Sequence, residues 1–505
     1  MRRYSKPLQS LLPQGWRPPA ALPSGRALHV SGLALDSRRV QPGDLFIARA
    51  GSHQRGADFI AEALQRGAVA VMAQRGELSE AERAALSVPL LEVDELDSMA
   101  GQVASRFHGR PSGQLRVIGI TGTNGKTSCS FYLAQALESL GHRCAVIGTL
   151  GSGFIAELEP ATHTTPDPIT LQARLARLRR QGAEYVVMEV SSHALEQKRV
   201  AGVEFAAAGF TNLTRDHLDY HGDMARYGGA KARLFVDHAP PLQAFNLEDR
   251  FGRSLYERQL TTPARVLGFA LAAGPGIDLS ASQLQFDQHG CRFDLRTPAG
   301  RQRIESVLLG RFNVSNLLLC ATLLQLLGFG PEAIATALGR LEPVAGRMQC
   351  LPRGEGQPQV VIDYAHTPDA LAQALQALRL HRPGRGLLWC VFGCGGERDR
   401  GKRPEMGAVA ARLADRLVVT SDNPRGEPAQ QIIREVQAGI PTTAPLHLEV
   451  ERGRAIRWAI RHAGPDDLVL IAGKGHENYQ EIEGVRHPFS DHEHATSALQ
   501  QEAEV

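Results

Sequence analysis

The stretch Val117-Ile118-Gly119-Ile120-Thr121-Gly122-Thr123-Asn124-Gly125-Lys126-Thr127-Ser128 limits what this chain can fold into more than any other. The apolar, β-branched run from Leu115 to Thr121 reads as a buried strand, and the helical spacing of Ser128 to Leu140 follows directly on the glycines. Strand, tight loop and helix in that order imply a parallel sheet covered by helices. Glycines let backbone N–H groups face a polyphosphate, Lys126 supplies charge to its β and γ groups, and the Thr127 hydroxyl can ligate Mg²⁺. A nucleoside triphosphate is the natural ligand. The strict G-x4-G-K-[ST] pattern has glycine where this chain has Ile120, so the loop is a variant.

At 505 residues the chain exceeds one hydrophobic core and implies about three domains. Residues 1–110 mix short apolar runs, such as Asp44-Leu45-Phe46-Ile47, with a helix from Phe59 to Arg66 and a strand from Ala68 to Met72, which predicts a small α/β domain. His108-Gly109-Arg110-Pro111-Ser112-Gly113 reads as a linker. In residues 111–343 strands and helices alternate, with a buried strand from Tyr185 to Val190; the texture changes to short strands between Pro240 and Gly310, and a helix runs from Asn313 to Leu327. A boundary is expected near Pro343. Residues 344–505 carry a second alternation, with strands at Val360 to Asp363, Gly386 to Phe392, Arg416 to Thr420 and Asp467 to Ala472. The fold class expected is α/β, in three domains.

Composition excludes several classes. With 43% hydrophobic and 22% charged residues, a net charge of +3 and no basic run interleaved with aromatics, nothing suggests a nucleic-acid-binding surface. Seven cysteines, an odd number and widely spread, fit a reducing cytoplasm. The pair Cys390 and Cys394 reads as packed or loop thiols in preference to half a zinc site. No signal sequence or membrane span is expected, so the protein should stay in the cytoplasm.

Other segments carry chemistry with less force. Glu189 ends the apolar strand Tyr185 to Val190, where a carboxylate is costly unless paired or metal-bound, although an edge carboxylate reaching solvent is the alternative. Thr211-Asn212-Leu213-Thr214-Arg215-Asp216-His217-Leu218-Asp219-Tyr220-His221-Gly222 can build a metal site or hydrogen-bond a rigid loop, and spacing leaves both open. Lys231, taken by itself, reads as a solvated helix lysine. Four polar loops, Asp363-Tyr364-Ala365-His366, Gly393 to Asp399, Asp422-Asn423-Pro424-Arg425 and Gly473-Lys474-Gly475-His476-Glu477, each follow a predicted strand. In an open parallel sheet such loops share one rim, where ligands bind.

Taken together, Gly122 to Thr127, the Asp216 to Gly222 loop, Phe312-Asn313-Val314-Ser315-Asn316, Gly346-Arg347 and Asp363-Tyr364-Ala365-His366-Thr367-Pro368-Asp369 resemble the Mur ligase family, in matching order across nearly the whole chain. The resemblance implies a UDP-sugar domain (1–110), a central ATPase domain (111–343) and a C-terminal Rossmann-like domain that brings the amino acid (344–505). It implies that Lys231 is carbamylated and joins Thr127, Glu189 and His217 around two Mg²⁺ ions. Gly122, Thr123, Asn124, Gly125, Lys126, Thr127, Ser128, Asn316, Arg347 and Asp363 match nucleotide contacts, with Lys126, Glu189, His217, Lys231 and Arg347 as the catalytic set. Leu35, Ser37, His53, Gln54 and Arg55 match the uridine pocket, and Thr164, Thr165, Ser191, Gln197 and Arg199 match muramoyl-dipeptide contacts. Asp422-Asn423-Pro424-Arg425 resembles the diaminopimelate-adding type, because Arg425 can clamp bidentately the second carboxylate that lysine lacks. Arg398, Gly473 and Glu477 match the remaining amino-acid contacts.

The reaction so implied is ATP-dependent ligation of meso-diaminopimelate to UDP-N-acetylmuramoyl-L-Ala-D-Glu in peptidoglycan precursor synthesis, by a monomer. The D-glutamyl γ-carboxylate is phosphorylated and the resulting acyl phosphate is attacked by the amine. Nucleotide and amino-acid loops on different domains imply closure before chemistry. The base that deprotonates the amine is unassigned: His217 is expected on metal, and His366 is a candidate. The rivals are a lysine-adding or folylpolyglutamate-type relative and a nucleotide-switched binding protein that does not ligate.

Overall fold

The structure, a computed structural model, describes residues 5–13, 28–50, 54–161, 163–382 and 384–502. The chain divides into two compact units, 1–267 and 268–505.

The first unit holds a small parallel sheet, a larger mixed one and the short antiparallel pair Lys6–Pro7 and His29–Val30. The small parallel sheet runs in the order Gly32–Ala34, Asp44–Ala48, Ala70–Gln74, Leu90–Val93, every pair parallel. Its second strand is buried along its whole length, which explains the unbroken apolar run. The expected helix near Phe59 forms as a 3-10 turn, Gly56–Phe59, followed by the α-helix Ile60–Gln65. The segment read as a linker is a tight, anchored turn. Arg110 is left-handed at φ 52°, Pro111–Gln114 is a 3-10 turn, and the buried Ser112 hydroxyl accepts the Glu204 N–H at 3.0 Å.

The larger sheet runs Glu157–Glu159, Gly151–Phe154, Cys144–Gly148, Tyr185–Glu189, Arg116–Thr121, Phe205–Phe210, Leu242–Asn246. The last five run parallel to one another, while Gly151–Phe154 pairs antiparallel with both Cys144–Gly148 and Glu157–Glu159 at the edge. The strand Arg116–Thr121 is therefore interior and feeds the helix Lys126–Ser139. Asp167 caps the helix Pro168–Arg180 by accepting from the Ile169 and Thr170 N–H groups, proline fills its first turn, and three arginines end it, as the helix dipole favours.

In the second unit the short strands read between Pro240 and Gly310 form an antiparallel meander, Leu279–Asp287, Gly290–Thr297 and Gly300–Ser306. The helix Arg311–Leu326 follows and is mostly buried. The final sheet runs Gln349–Cys350, Gln359–Asp363, Leu468–Ala472, Leu388–Phe392, Arg416–Val419, Leu446–Leu448, parallel except at the first pair. Alternation along these strands sends Val361, Cys390, Leu417 and Leu470 to one core and Val360, Trp389, Val418 and Val469 to the other. Helices Pro368–His381, Lys402–Leu413 and Ala429–Gln437 cover the first face, and Arg452–His462 and Asp491–Glu502 the second, the doubly wound arrangement expected.

All seven cysteines are free. Cys390 is buried in a strand, and Cys394 packs its sulfur 3.5 Å from that of Met406. Among the described residues no helix is long and apolar enough to cross a membrane.

Candidate active site

The glycine loop is shaped by close approach. A Cβ on Gly122, whose φ is +146°, would lie 1.8 Å from the Thr211 hydroxyl oxygen, and Gly125 opens the helix at φ 85°. Asn212 braces the loop by accepting the Thr123 N–H on its carbonyl at 2.8 Å and the Asn124 N–H on Oδ1 at 3.0 Å. Ile120 needs no glycine because it is still in the strand and fully buried. Lys126 curls back, its ammonium donating to the Gly122 and Thr123 carbonyls at 2.9 and 2.7 Å.

Beside this loop lies a buried carboxylate. Glu189 is 1% exposed in an interior strand, which removes the edge-carboxylate alternative. Its Oε2 accepts from the Thr127 and Thr149 hydroxyls at 3.0 and 3.1 Å, and its Oε1 from the Thr149 N–H at 2.8 Å. All three of these hydrogen bonds come from hydroxyls and a backbone N–H, which satisfy the buried carboxyl oxygens. Hydroxyl and carboxylate oxygens converging beneath a phosphate loop are the donor set that suits Mg²⁺, which takes few protein ligands beside phosphate and water.

Lys231, read from sequence as solvated, is 1% exposed; this corrects that plain reading. Its helix, Met224–Val236, buries residues on several faces. The amine donates to the Gly122 carbonyl at 2.7 Å and sits 4.4 Å from the centre of the Tyr227 ring, and burial, helped by Lys126, holds its pKa well below the ordinary lysine value. His217 is left-handed at φ 53° and lies 3.4 Å from Asp216; burial lowers its pKa, Asp216 opposes and Lys126 and Lys231 add to the fall. His221 is a buried hydrogen-bond partner of Ser192 at 3.0 Å. Of the two readings left open, the hydrogen-bonded loop is seen at His221, while His217 is half-exposed and, among the described residues, no group of three or more His, Cys, Asp or Glu side chains is gathered as a metal site.

The residues matched to the dipeptide form one chain of contacts. Thr164 and Thr149 hydroxyls meet at 3.1 Å, Thr165 donates to the Glu189 carbonyl at 2.8 Å, and the Ser191 N–H donates to the Thr165 hydroxyl at 3.2 Å. Arg199 then reaches the Thr165 carbonyl at 3.1 Å and Gln197 Oε1 at 2.7 Å. Of the residues matched to uridine, Leu35 is half-buried and Gln54 exposed, Ser37 is buried and donates to Glu62 at 2.6 Å, and Arg55 reaches the Glu77 carbonyl at 2.5 Å. His53 lies outside the described residues.

In the second unit the four strand-end loops do share one rim, because their strands are mutually parallel. Asp363 accepts the Met348 N–H at 2.8 Å; burial raises its pKa and Arg347 opposes this. The Arg347 guanidinium lies 4.6 Å from the Tyr364 ring centre. Asn316 is buried and donates to Asn313 at 3.0 Å, Ser128 is buried, and Arg398 and His366 are exposed. Asp422 accepts its neighbour's N–H, from Asn423, at 2.7 Å. Pro424 abuts Gly396, where a Cβ would meet its carbonyl oxygen at 1.9 Å, and Gly473 adopts φ +117° over the Asp422 carboxylate. Arg425, left-handed at φ 51°, donates to the Gly396 carbonyl at 2.7 Å and lies 3.7 Å from Glu481. Glu477 accepts on one oxygen from Asn423 at 2.9 Å and from the fully buried Lys474 at 3.1 Å.

Comparison with known proteins decides what this assembly is. Three family descriptions match in succession: "Mur ligase family, catalytic domain" at residues 29–108, "Mur ligase middle domain" at 120–324 and "Mur ligase, glutamate ligase domain" at 346–475. The chain belongs to the Mur ligase family. Its α/β architecture is accordingly that of three Mur ligase domains. This Mur ligase is 50% identical over 497 residues, 98% of each chain, to the UDP-N-acetylmuramoyl-L-alanyl-D-glutamate–2,6-diaminopimelate ligase of Ectopseudomonas mendocina. It is 48% identical over 477 residues to that of Pseudomonas aeruginosa, covering 94% of this chain and 96% of the relative. A solved structure of a ligase of that name matches at 37% identity and TM-score 0.71, covering 94% of this chain and 96% of the other.

Several residues in contact with the candidate residues were given no role by sequence reasoning. Gly148 has no room for a side chain, since a Cβ would fall 2.1 Å from Glu189 Oε1, and Thr149 holds the same carboxylate. Arg49 connects Asp97, at 2.5 Å, with the Gln197 carbonyl, at 3.2 Å. Lys474 orients Glu477, and Glu481 sits against Arg425. Lys474 stood in a strand-end loop already singled out, and Gly148 closes the apolar run Cys144 to Ile147, which was not read as a strand; Arg49 and Glu481 had no such signal.

Proposed function

We infer that this Mur ligase joins meso-diaminopimelate to the D-glutamyl γ-carboxylate of UDP-N-acetylmuramoyl-L-Ala-D-Glu at the expense of ATP. The observation that carries the reading is the 50% identity to a 2,6-diaminopimelate ligase over 98% of both chains. The site geometry supports it. Lys126 and the glycine loop bind the polyphosphate, and Arg347 balances charge on the phosphoryl group as it passes to the carboxylate. When bound, Mg²⁺ screens the repulsion between the two anions, with Thr127, Glu189, His217 and Lys231 as its protein partners. For Lys231 the partner form is a carbamate. An ammonium buried beside Lys126 is unfavourable, and carbamylation exchanges that cation for an anion next to the metal.

Thr164, Thr165, Ser191, Gln197 and Arg199 hold the dipeptide so that its carboxylate meets the phosphate loop, while Leu35, Ser37, His53, Gln54 and Arg55 take the uridine end. Asn316 and Asp363 contact the nucleotide. Arg425 clamps the distal carboxylate of diaminopimelate and Glu477 its ammonium, with Arg398, Asp422, Asn423, Pro424 and Gly473 completing the pocket. The domain division 1–110, 111–343 and 344–505 belongs to this reading. So do a monomeric cytoplasmic enzyme, closure before chemistry, and a role in wall synthesis that reaches cell shape and division.

The deciding experiment supplies ATP, magnesium and UDP-N-acetylmuramoyl-L-Ala-D-Glu with meso-diaminopimelate or L-lysine and identifies products by mass spectrometry. The diaminopimelate amide is expected, and chelation of magnesium should abolish it. Preferred formation of the lysine product would refute the substrate assignment. ATP hydrolysis with no amide product would instead favour the nucleotide-switched binding protein.

A further inference from the structure

Behind the amino-acid rim of the second unit lies a buried ion pair that the chemistry above does not use. Arg452 opens the helix Arg452–His462 and Asp491 opens Asp491–Glu502, and both side chains are 0% exposed. Arg452 Nε and Nη2 donate to the two Asp491 carboxylate oxygens, each at 2.7 Å. The same guanidinium donates from Nη1 to the Ser421 carbonyl at 3.2 Å and from Nη2 to the Ala472 carbonyl at 2.9 Å. Ser421 immediately precedes Asp422, and Ala472 immediately precedes Gly473.

These two carbonyls are not neighbours in the sheet. The strands Arg416–Val419 and Leu468–Ala472 each pair with Leu388–Phe392, which separates them, so no ladder hydrogen bond joins one directly to the other. Strands two places apart lie about 9.5 Å from each other; past the strand ends the two carbonyls come within reach of one planar guanidinium, which holds them with fixed directions. Beyond the gap the loops touch. A Cβ on Gly473 would stand 2.5 Å from Asp422 Oδ2 and 3.9 Å from Arg452 Nη2. Gln480, from the hairpin that follows, donates to the Ser421 hydroxyl at 2.9 Å and to the Asp422 carbonyl at 2.5 Å, and Asn423, Lys474 and Glu477 close the network on the rim side. Apolar side chains would pack two helices against a sheet at least as well as a buried ion pair does. What the pair adds is a defined spacing between the loop carrying Asp422, Asn423 and Arg425 and the loop carrying Gly473, Lys474 and Glu477.

We propose that Arg452, held by Asp491, is a positioning residue that sets the distance between the two diaminopimelate loops and thereby the affinity for that substrate. The inference rests on the assignment of those loops to diaminopimelate. It is tested in the full-length enzyme with the double variant Arg452→Met/Asp491→Leu, which removes both charges and leaves neither unpaired. Arg452→Lys accompanies it, keeping the charge and losing the fork. Formation of the diaminopimelate amide by the wild type is measured first, and its absence would overturn the loop assignment and this proposal together. With that product present, the double variant should melt within a few degrees of wild type. Its KM for diaminopimelate should rise about 10-fold or more, the scale on which displaced binding groups act, and its KM values for ATP and for the UDP-linked dipeptide should stay within twofold. Arg452→Lys should fail to restore the diaminopimelate KM. An unchanged diaminopimelate KM, or an equal rise for all three substrates, would overturn the proposal. Should the double variant not fold, Arg452→Gln takes its place with the same readout.

Discussion

At the scale of single residues the site is defined by tolerances as much as by functional groups. Gly148→Ala places a methyl group 2.1 Å from Glu189 Oε1 and must push the carboxylate off the Thr149 N–H and the Thr127 hydroxyl. Turnover should fall by roughly 100-fold, and the melting temperature should drop as well because a buried carboxylate loses hydrogen bonds, as phosphate-release kinetics and calorimetry will register. Arg425→Lys keeps a cation but loses the bidentate fork, and should lower kcat/KM for diaminopimelate by about 2 kcal/mol, roughly 30-fold, with the KM for ATP unchanged. Loss of ATP affinity in that variant would mean that Arg425 supports the fold through Gly396. Lys126 and Thr127 could be read from the chain because a phosphate loop is local: strand, glycines, lysine and hydroxyl lie within twelve positions. Lys231 was misread as solvated because its burial depends on the distant Gly122 loop, which no helical period reveals; Tyr227, one turn earlier on the same helix, only adds to it.

At the scale of elements, continuous apolar runs marked four parallel strands of the last sheet to within two residues, since a strand buried on both faces needs no alternation. Some strands that went unseen exist only by pairing, although Cys144–Gly148, apolar and buried throughout, was also passed over. Gln349–Cys350 and Leu446–Leu448 have too few residues to carry a pattern, and Gly151–Phe154 is half glycine. Helix packing in the second unit depends on another buried arginine that a charge pattern does not announce. Arg403, on Lys402–Leu413, is 0% exposed and donates to Glu427 at 2.9 and 3.0 Å, to Glu435 at 2.6 Å and to the Gly395 carbonyl at 3.2 Å. The Arg403 hydrogen bonds, before all else, hold the Glu427 carboxyl at about 2, below the ordinary 4.5. A depressed carboxylate stabilises the fold fully above its unfolded value and loses that contribution as pH falls toward the folded one. The difference in melting temperature between wild type and Glu427→Gln should therefore be largest above pH 5 and shrink as pH is lowered from about 4.5 toward 2. A difference that does not vary over that interval would separate Glu427 from the Arg403 pair.

At the scale of the whole molecule, the division into units 1–267 and 268–505 separates the glycine loop from the strand-end rim proposed for diaminopimelate. Calorimetry should accordingly resolve two transitions. Diaminopimelate at 100 times its Kd should stabilise the second unit by about 2.7 kcal/mol and leave the other transition in place; a shift of both by the same amount would mean that the units unfold as one. The outermost strands of these sheets bear on how the protein behaves when it is abundant. One flank of the large sheet ends in the three-residue strand Glu157–Glu159, whose last carboxylate is gripped by Arg177 at 2.6 and 2.7 Å. The last sheet ends in strands of two and three residues. A strand from a second molecule would find two or three ladder bonds at these borders, and on the large sheet two glutamates as well, so they offer a poor template for fibre growth. A crowded population of newly made chains is thereby steered away from aggregation at these borders without help from a partner subunit.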